Sequence, residues 1–366
     1  MKRVFKNFIN IIICKFFSFF SLKKSVFFDS YGGLYACNPR CISESLHKKH
    51  PDIKQIWNIK KGIQGVPPYI QQVQKNSFNY FKALFTSKIC IFNSGIIIPR
   101  KRKGQFFLDT WHGDRAFKNV SITPIGEKSS IAYQQIDAVL SGSDYADRIY
   151  REQLCFTGEI LKTGSPRNDL FFKFTQEQCE KIKNDIGGSA FDSFLLYAPT
   201  YRNLDEGKAD LNFSALLDRL EKRDQKKWCC LVRQHYKVKF ANSWCKDSRI
   251  INVSKFPDVN ELLLLTDILV SDYSSIVGDF VLLKRPVVLY VPDLDEYNKT
   301  KGLNFKLNES PFVFAQNESD LYDKIVKLSI DKARGNCEAV LDFYGKVCED
   351  GHATERVIRY IEEILG

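Results

Sequence analysis

The 366-residue chain has eleven cysteines but no Cys-x-x-Cys pair. The odd count, with no metal-ligand spacing, argues against a disulfide framework or a zinc site and for free thiols in a reducing compartment. It also has no Gly-x-Gly-x-x-Gly and no Walker A sequence, so NAD and ATP sites lack support and no cofactor is expected. No low-complexity tract or short internal repeat is visible. Histidine is scarce: His47, His50, His112, His235 and His352 are all there are. The longest apolar stretch near the start is broken by lysines, which argues against a membrane span.

What is present reads as globular, with 44% hydrophobic and 27% charged residues. The length suits two ordinary domains. The formal net charge is +11, and residues 1–24 supply six bases (Lys2, Arg3, Lys6, Lys15, Lys23, Lys24) and no acid. A nucleic-acid binder would spread its charge over a folded face or a known motif, and no such motif exists. The concentration at one end points to an anionic membrane surface. On a helical wheel Phe5, Phe8, Ile9, Ile12, Phe16, Phe19 and Phe20 share one face, with Arg3, Lys6, Asn7, Asn10, Ser18 and Ser21 opposite. Residues 1–24 are therefore expected to lie in an interface, apolar side down, at the cytoplasmic face of a membrane. The competing reading is a helix packed on the protein's own core. A cleaved signal peptide is disfavoured by Lys15 and by the lack of a small-residue cleavage site.

From residue 25 short apolar runs alternate with helical patterns. Strands are expected at 25–30, 53–59, 88–93, 105–111, 138–141, 194–198, 228–233, 267–271 and 287–291. Helices are expected at 39–50, 79–85, 176–186, 212–222, 259–265, 275–283, 321–329 and 353–365. This alternation implies parallel sheets built from strand–helix–strand units. The Gly- and Pro-containing stretch 163–168 divides them into two Rossmann-like domains facing a cleft, at 25–170 and 171–345, with a C-terminal helix at 346–366. Ligands in such sheets sit beyond the carboxyl ends of the strands.

Three strand ends carry unusual residues. His112 follows Trp111 and precedes Gly113, a residue that lets backbone approach a ligand closely. A satisfied structural histidine is an equally good reading of that pair alone. Arg233, His235 and Lys237 crowd a second strand end, suited to an anion such as a pyrophosphate; alone they would read as a solvated basic loop. Asp272, Ser274 and Ser275 occupy a turn before a helix, where free backbone N–H groups and the helix dipole attract phosphate. Plain N-capping explains the serines equally well. Arg202 follows a fourth strand and could reach a phosphate. The run 100–103 reads as a solvated basic loop, and Asp293-Leu294-Asp295 as a turn rather than a metal site; no metal is expected.

These stretches in this order resemble the CDP-glycerol glycerophosphotransferase family of teichoic-acid primases and polymerases. The resemblance runs from about residue 26 to 361. It rests on Gly33 with Asn38-Pro39, Thr110-Trp111-His112-Gly113, Gly164-Ser165-Pro166-Arg167-Asn168-Asp169, Ala198-Pro199-Thr200-Tyr201-Arg202, residues 266–297 and Asp350-Gly351-His352-Ala353-Thr354-Glu355-Arg356. It implies a GT-B fold, a CDP-polyol donor such as CDP-glycerol and a lipid-linked polymer acceptor. It maps catalytic histidines onto His112 and His235, with Trp111 and Gly113 in support. Donor contacts map onto the turn 272–275; Arg202, Arg233 and Lys237 are read as further phosphate contacts. The chain departs from the family where Asp114-Arg115-Ala116-Phe117-Lys118 follows His-Gly, in place of Thr-Pro-Leu-Lys, and where Tyr236 follows His235 in place of proline. The alternatives are a ribitol-phosphate transferase, a nucleotide-sugar glycosyltransferase of GT-B type, and a non-catalytic scaffold for anionic polymer.

Overall fold

The computed structural model describes residues 12–94, 101–120, 133–200, 211–234 and 244–366. The chain divides into two compact units. The first comprises Met1–Asp114, Val120–Asp169 and Val347–Gly366; the second comprises Arg115–Asn119 and Leu170–Lys346.

The first unit is built on seven parallel strands: β1 (Lys23–Asp29), β2 (Lys54–Asn58), β3 (Gln71–Val73), β4 (Ser87–Phe92), β5 (Phe106–Asp109), β6 (Ala138–Leu140) and β7 (Glu159–Leu161). Their spatial order is β3-β2-β1-β4-β5-β6-β7. The central strands are buried along nearly their whole length, as a parallel sheet covered on both faces requires. The C-terminal helix Ala353–Leu365 belongs to this unit, its Val357, Ile358 and Ile361 packed with Val26, Phe28, Ile42 and Leu46.

The second unit holds six parallel strands: β8 (Ser193–Tyr197), β9 (Trp228–Val232), β10 (Ile250–Asn252), β11 (Ile268–Ser271), β12 (Val287–Tyr290) and β13 (Phe314–Ala315). They run β10-β9-β8-β11-β12-β13. Both sheets are doubly wound. The direction of winding reverses between β1 and β4 in one and between β8 and β11 in the other, and such switch points are where ligands bind.

Arg115–Asn119 departs from the sequence division, which placed these residues in the first domain. Arg115 is 1% exposed and pairs with Asp279 at 3.3 Å. Phe117 packs on Phe305 and Phe312, and Lys118 bridges Leu303. Burial of an arginine and a phenylalanine in the second unit outweighs proximity in sequence.

The described part of the N-terminal segment has two sides. Residues 12–17 are helical, but Cys14 and Phe17 are buried in the first unit's core, beside Phe85. Ile12, Phe16, Phe19 and Phe20 are exposed. The segment is thus both core-packed and apolar on its outer side. Residues 1–11 lie outside the described region. Nor is 101–103 a free basic loop: Lys101 pairs with Asp137, and Arg102 donates to the carbonyls of Phe85 and Phe20, both at 2.7 Å.

Candidate active site

In the first unit the site is assembled around the end of β5. Asp109 closes that strand, and its Oδ1 accepts from the Trp111 amide at 2.8 Å. This tight return holds Trp111 at φ +50°, a left-handed conformation that a bulky residue rarely adopts. The half-buried His112 follows. Its Nδ1 donates to the carbonyl of Asn93, just beyond β4. That bond selects the tautomer with a lone pair on Nε2, the form a general base needs. The Tyr31 ring meets the imidazole edge-on at 5.4 Å. Tyr31 and Cys37 also have positive φ, so three of the seven such non-glycine residues among the described residues lie in or beside this site. Such backbone strain tends to gather where function rather than folding requires it.

The motifs flanking the histidine explain its placement. Asn38 Nδ2 donates to the carbonyls of Thr110 and Trp111 at 2.9 and 3.2 Å, while its Oδ1 accepts from the Arg167 amide at 3.0 Å. The Arg167 guanidinium donates to the His112 carbonyl at 2.7 Å. Gly33 turns at φ +126°, where a Cβ would lie 2.8 Å from Lys60. Gly164, at φ +82°, lies where a Cβ would meet the Cys348 carbonyl at 2.9 Å. Asp169 caps the C-terminal helix, accepting from the amides of Ala353 and Thr354 at 2.9 and 2.8 Å. Asn168 Nδ2 donates to Glu349 at 3.1 Å, and Arg356 pairs with Asp350 at 2.7 Å. The 164–169 and 350–356 stretches therefore form one scaffold, tied to His112 through Arg167, and Gly113 is buried.

Asp29, at the end of β1, is buried, and desolvation raises its pKa against the pull of Asn58, Lys75 and Lys60. No sequence motif points to Asp29, Asn93 or Tyr31. Arg167 and Asn38 stand in the sequence only as parts of motifs.

In the second unit the β8/β11 switch point is stitched across. Ser271 Oγ donates to the Ala198 carbonyl at 2.7 Å. Asp272 is 1% exposed and accepts from the amide and hydroxyl of Thr200 at 2.9 to 3.0 Å. It shapes the loop and is not displayed on the surface. Ser274 and Ser275 are half-buried at the same strand end. The following helix is short, Ile276–Phe280 with a 3₁₀ turn at Val281–Leu283, and Ser275 makes no side-chain cap. Capping therefore does not account for its hydroxyl. Arg233 Nη1 donates to the carbonyls of Val253 and Phe256 at 3.1 and 2.7 Å, fixing the loop after β10. Burial lowers its pKa, which Asp258 partly offsets. Tyr273 stacks on Tyr297 at 3.7 Å and donates to Asp293. Arg202, His235 and Lys237 lie outside the described residues. Among the described residues no group of three metal-ligating side chains is gathered.

The profile of the family described as CDP-Glycerol:Poly(glycerophosphate) glycerophosphotransferase matches residues 12–363. The chain belongs to this glycerophosphotransferase family. The teichoic acid glycerol-phosphate transferase of Staphylococcus aureus is 29% identical to it over 93% of both chains. The teichoic acid poly(glycerol phosphate) polymerase of Staphylococcus epidermidis is 28% identical over 91% of this chain, which spans half of that protein's length. Among solved structures, the wall teichoic acid polymerase TagF superposes with a TM-score of 0.84 at 23% identity, covering 100% of this chain and 97% of that one. The shared fold is GT-B-like.

Proposed function

We propose that the protein moves glycerol phosphate from CDP-glycerol to a membrane-bound teichoic-acid or capsule-type acceptor and releases CMP. The family profile over residues 12–363 supports the reaction class, and the tautomer set on His112 by the Asn93 carbonyl supports the chemistry. An acceptor hydroxyl attacks the phosphorus that carries the glycerol. His112 Nε2 takes its proton, help of a kind worth on the order of 10²–10⁴-fold. Ser274 and Ser275 are assigned to the donor phosphates, with Asp272 and Arg233 shaping the loops around them. His235, Lys237 and Arg202 are assigned to charge on the pyrophosphate as CMP leaves, and such electrostatic stabilisation often lowers a barrier more than proton transfer does. Phosphoryl transfer depends chiefly on positioning and charge, so no covalent enzyme intermediate is required.

The acceptor is assigned to a lipid-linked polymer, with the protein held at the cytoplasmic surface of the membrane. Exposed Ile12, Phe16, Phe19 and Phe20 support that placement. Among the described residues no helix is long and apolar enough to cross a membrane. The test is CMP release by purified protein with a lipid-linked acceptor. Acceptor-dependent CMP from CDP-glycerol is expected. CMP from CDP-ribitol alone would keep the chemistry and change the polyol. A nucleoside diphosphate released from a nucleotide sugar, with no CMP from either donor, would overturn the reading.

A further inference from the structure

A basic cavity and an exposed apolar patch lie side by side in the first unit, at the end of the sheet opposite His112. Lys23, Lys54 and Gln71 are the opening residues of β1, β2 and β3, whereas His112 lies past the closing residue of β5. With Asn79, Lys82 and Thr86, these three residues line a cavity of about 120 Å³. That is many times the roughly 10–15 Å³ one water requires. Among the described residues, none of the three lysines forms an ion pair. Among the described residues the cavity thus carries three positive charges paired with no carboxylate, together with the side-chain amides of Gln71 and Asn79; the Thr86 hydroxyl is already donated to the Lys82 carbonyl at 2.6 Å. Lysine binds phosphate as a point charge, and such a cavity selects an anion.

The neighbouring surface identifies which anion. Helix Phe78–Thr86 turns Asn79, Lys82 and Thr86 toward the cavity. On the adjoining side of the same helix, Phe78 and Phe85 meet Phe17, at 5.3 and 6.3 Å. Phe78 is 60% exposed and extends the apolar patch of Ile12, Phe16, Phe19 and Phe20. A soluble phosphate would gain nothing from that patch. A phosphate anchored at a bilayer surface brings acyl chains to it.

We infer that this cavity binds the phosphate headgroup of an anionic phospholipid while the adjoining apolar face enters the bilayer. The inference rests on the membrane-surface reading above and adds a specific headgroup site to it. Seated this way, the protein keeps the His112 end of the sheet away from the lipid anchor.

The test is co-sedimentation of the full chain with vesicles of phosphatidylcholine, with or without phosphatidylglycerol. The cavity variant Lys23→Gln/Lys54→Gln/Lys82→Gln is compared with Lys222→Gln/Lys226→Gln/Lys227→Gln, an equal charge change at exposed sites on the second unit. At about fivefold per lysine, the cavity variant loses on the order of 100-fold in binding to phosphatidylglycerol vesicles. The control variant loses far less, and inorganic phosphate does not displace the protein. Equal losses in the two variants would reduce the effect to general attraction and overturn the site. Displacement by inorganic phosphate would make it a soluble-phosphate site and overturn the lipid assignment. Failure of the unaltered chain to bind either vesicle would remove the membrane reading and this site together, while CMP release from CDP-glycerol would still stand for the transferase.

Discussion

At the residue scale, the position of His112 was legible in the sequence, just past a strand and before a glycine, and the structure puts it beyond the end of β5. Its partners were not. Asn93 matters because β4 and β5 are neighbours, and no local pattern announces sheet order. Arg167 was visible as part of a motif, but its role depends on a fold that returns it to the His112 carbonyl. Replacing Arg167 with lysine keeps the charge and loses the planar fork. The predicted effect is a 10- to 100-fold drop in kcat, because small displacements of a catalytic group are costly, with the KM for CDP-glycerol little changed. Steady-state kinetics separates the two. Asp272 and Arg233 were read as phosphate contacts; the structure has them bonded to Thr200 and to loop carbonyls. A buried aspartate and an exposed one look alike in sequence.

At the scale of elements, all nine expected strands are present. The four that were missed, β3, β7, β10 and β13, are the two edges of each sheet. They have two or three residues, and sequences such as Gln-Gln-Val carry no run or alternation to read. The C-terminal helix was legible from its strong amphipathicity, whereas its cap was not, because Asp169 lies far away in the chain. Asp169→Ala is predicted to destabilise the first unit by about 1 kcal/mol, within the 0.5–2 kcal/mol range for caps, measurable by urea titration. The neighbouring Asp350 is pulled down to about 2 by its hydrogen bonds to Arg356. A lowered carboxyl stabilises the fold above the ordinary carboxylate value and stops doing so as pH falls through its folded value. Asp350 is exposed, so the contribution is small. The melting-temperature gap between the unaltered chain and Asp350→Asn is predicted to close as pH falls from about 4 to about 2.

At the scale of the whole molecule, alternating strands and helices announced two doubly wound units, and the likeness to TagF agrees on a GT-B-like fold. The small Arg115–Asn119 exchange was not legible, because it turns on which unit buries Arg115 and Phe117. The N-terminal segment was legible as amphipathic, but periodicity could not distinguish a helix packed on the core from one laid on a membrane; here one side does the first and the other remains exposed. The thiols follow the same logic of burial. The eleven cysteines lie outside disulfides, and of them Cys155 and Cys245 are exposed. Burial pushes Cys229 and Cys337 up to about 12. Maleimide labelling of the native protein, followed by mass spectrometry, is predicted to modify Cys155 and Cys245 first. The five buried cysteines, Cys14, Cys90, Cys229, Cys230 and Cys337, are expected to react only after unfolding.

Whether His112 is the base is decided by CMP release from His112→Ala at saturating CDP-glycerol and acceptor, with CDP-glycerol affinity measured alongside. The expected rate is lower by about 10²–10⁴-fold with donor affinity retained, as the proposed action of the imidazole on the acceptor hydroxyl rather than on the donor requires. A variant that turns over at the unaltered rate would refute the assignment of His112 as the base.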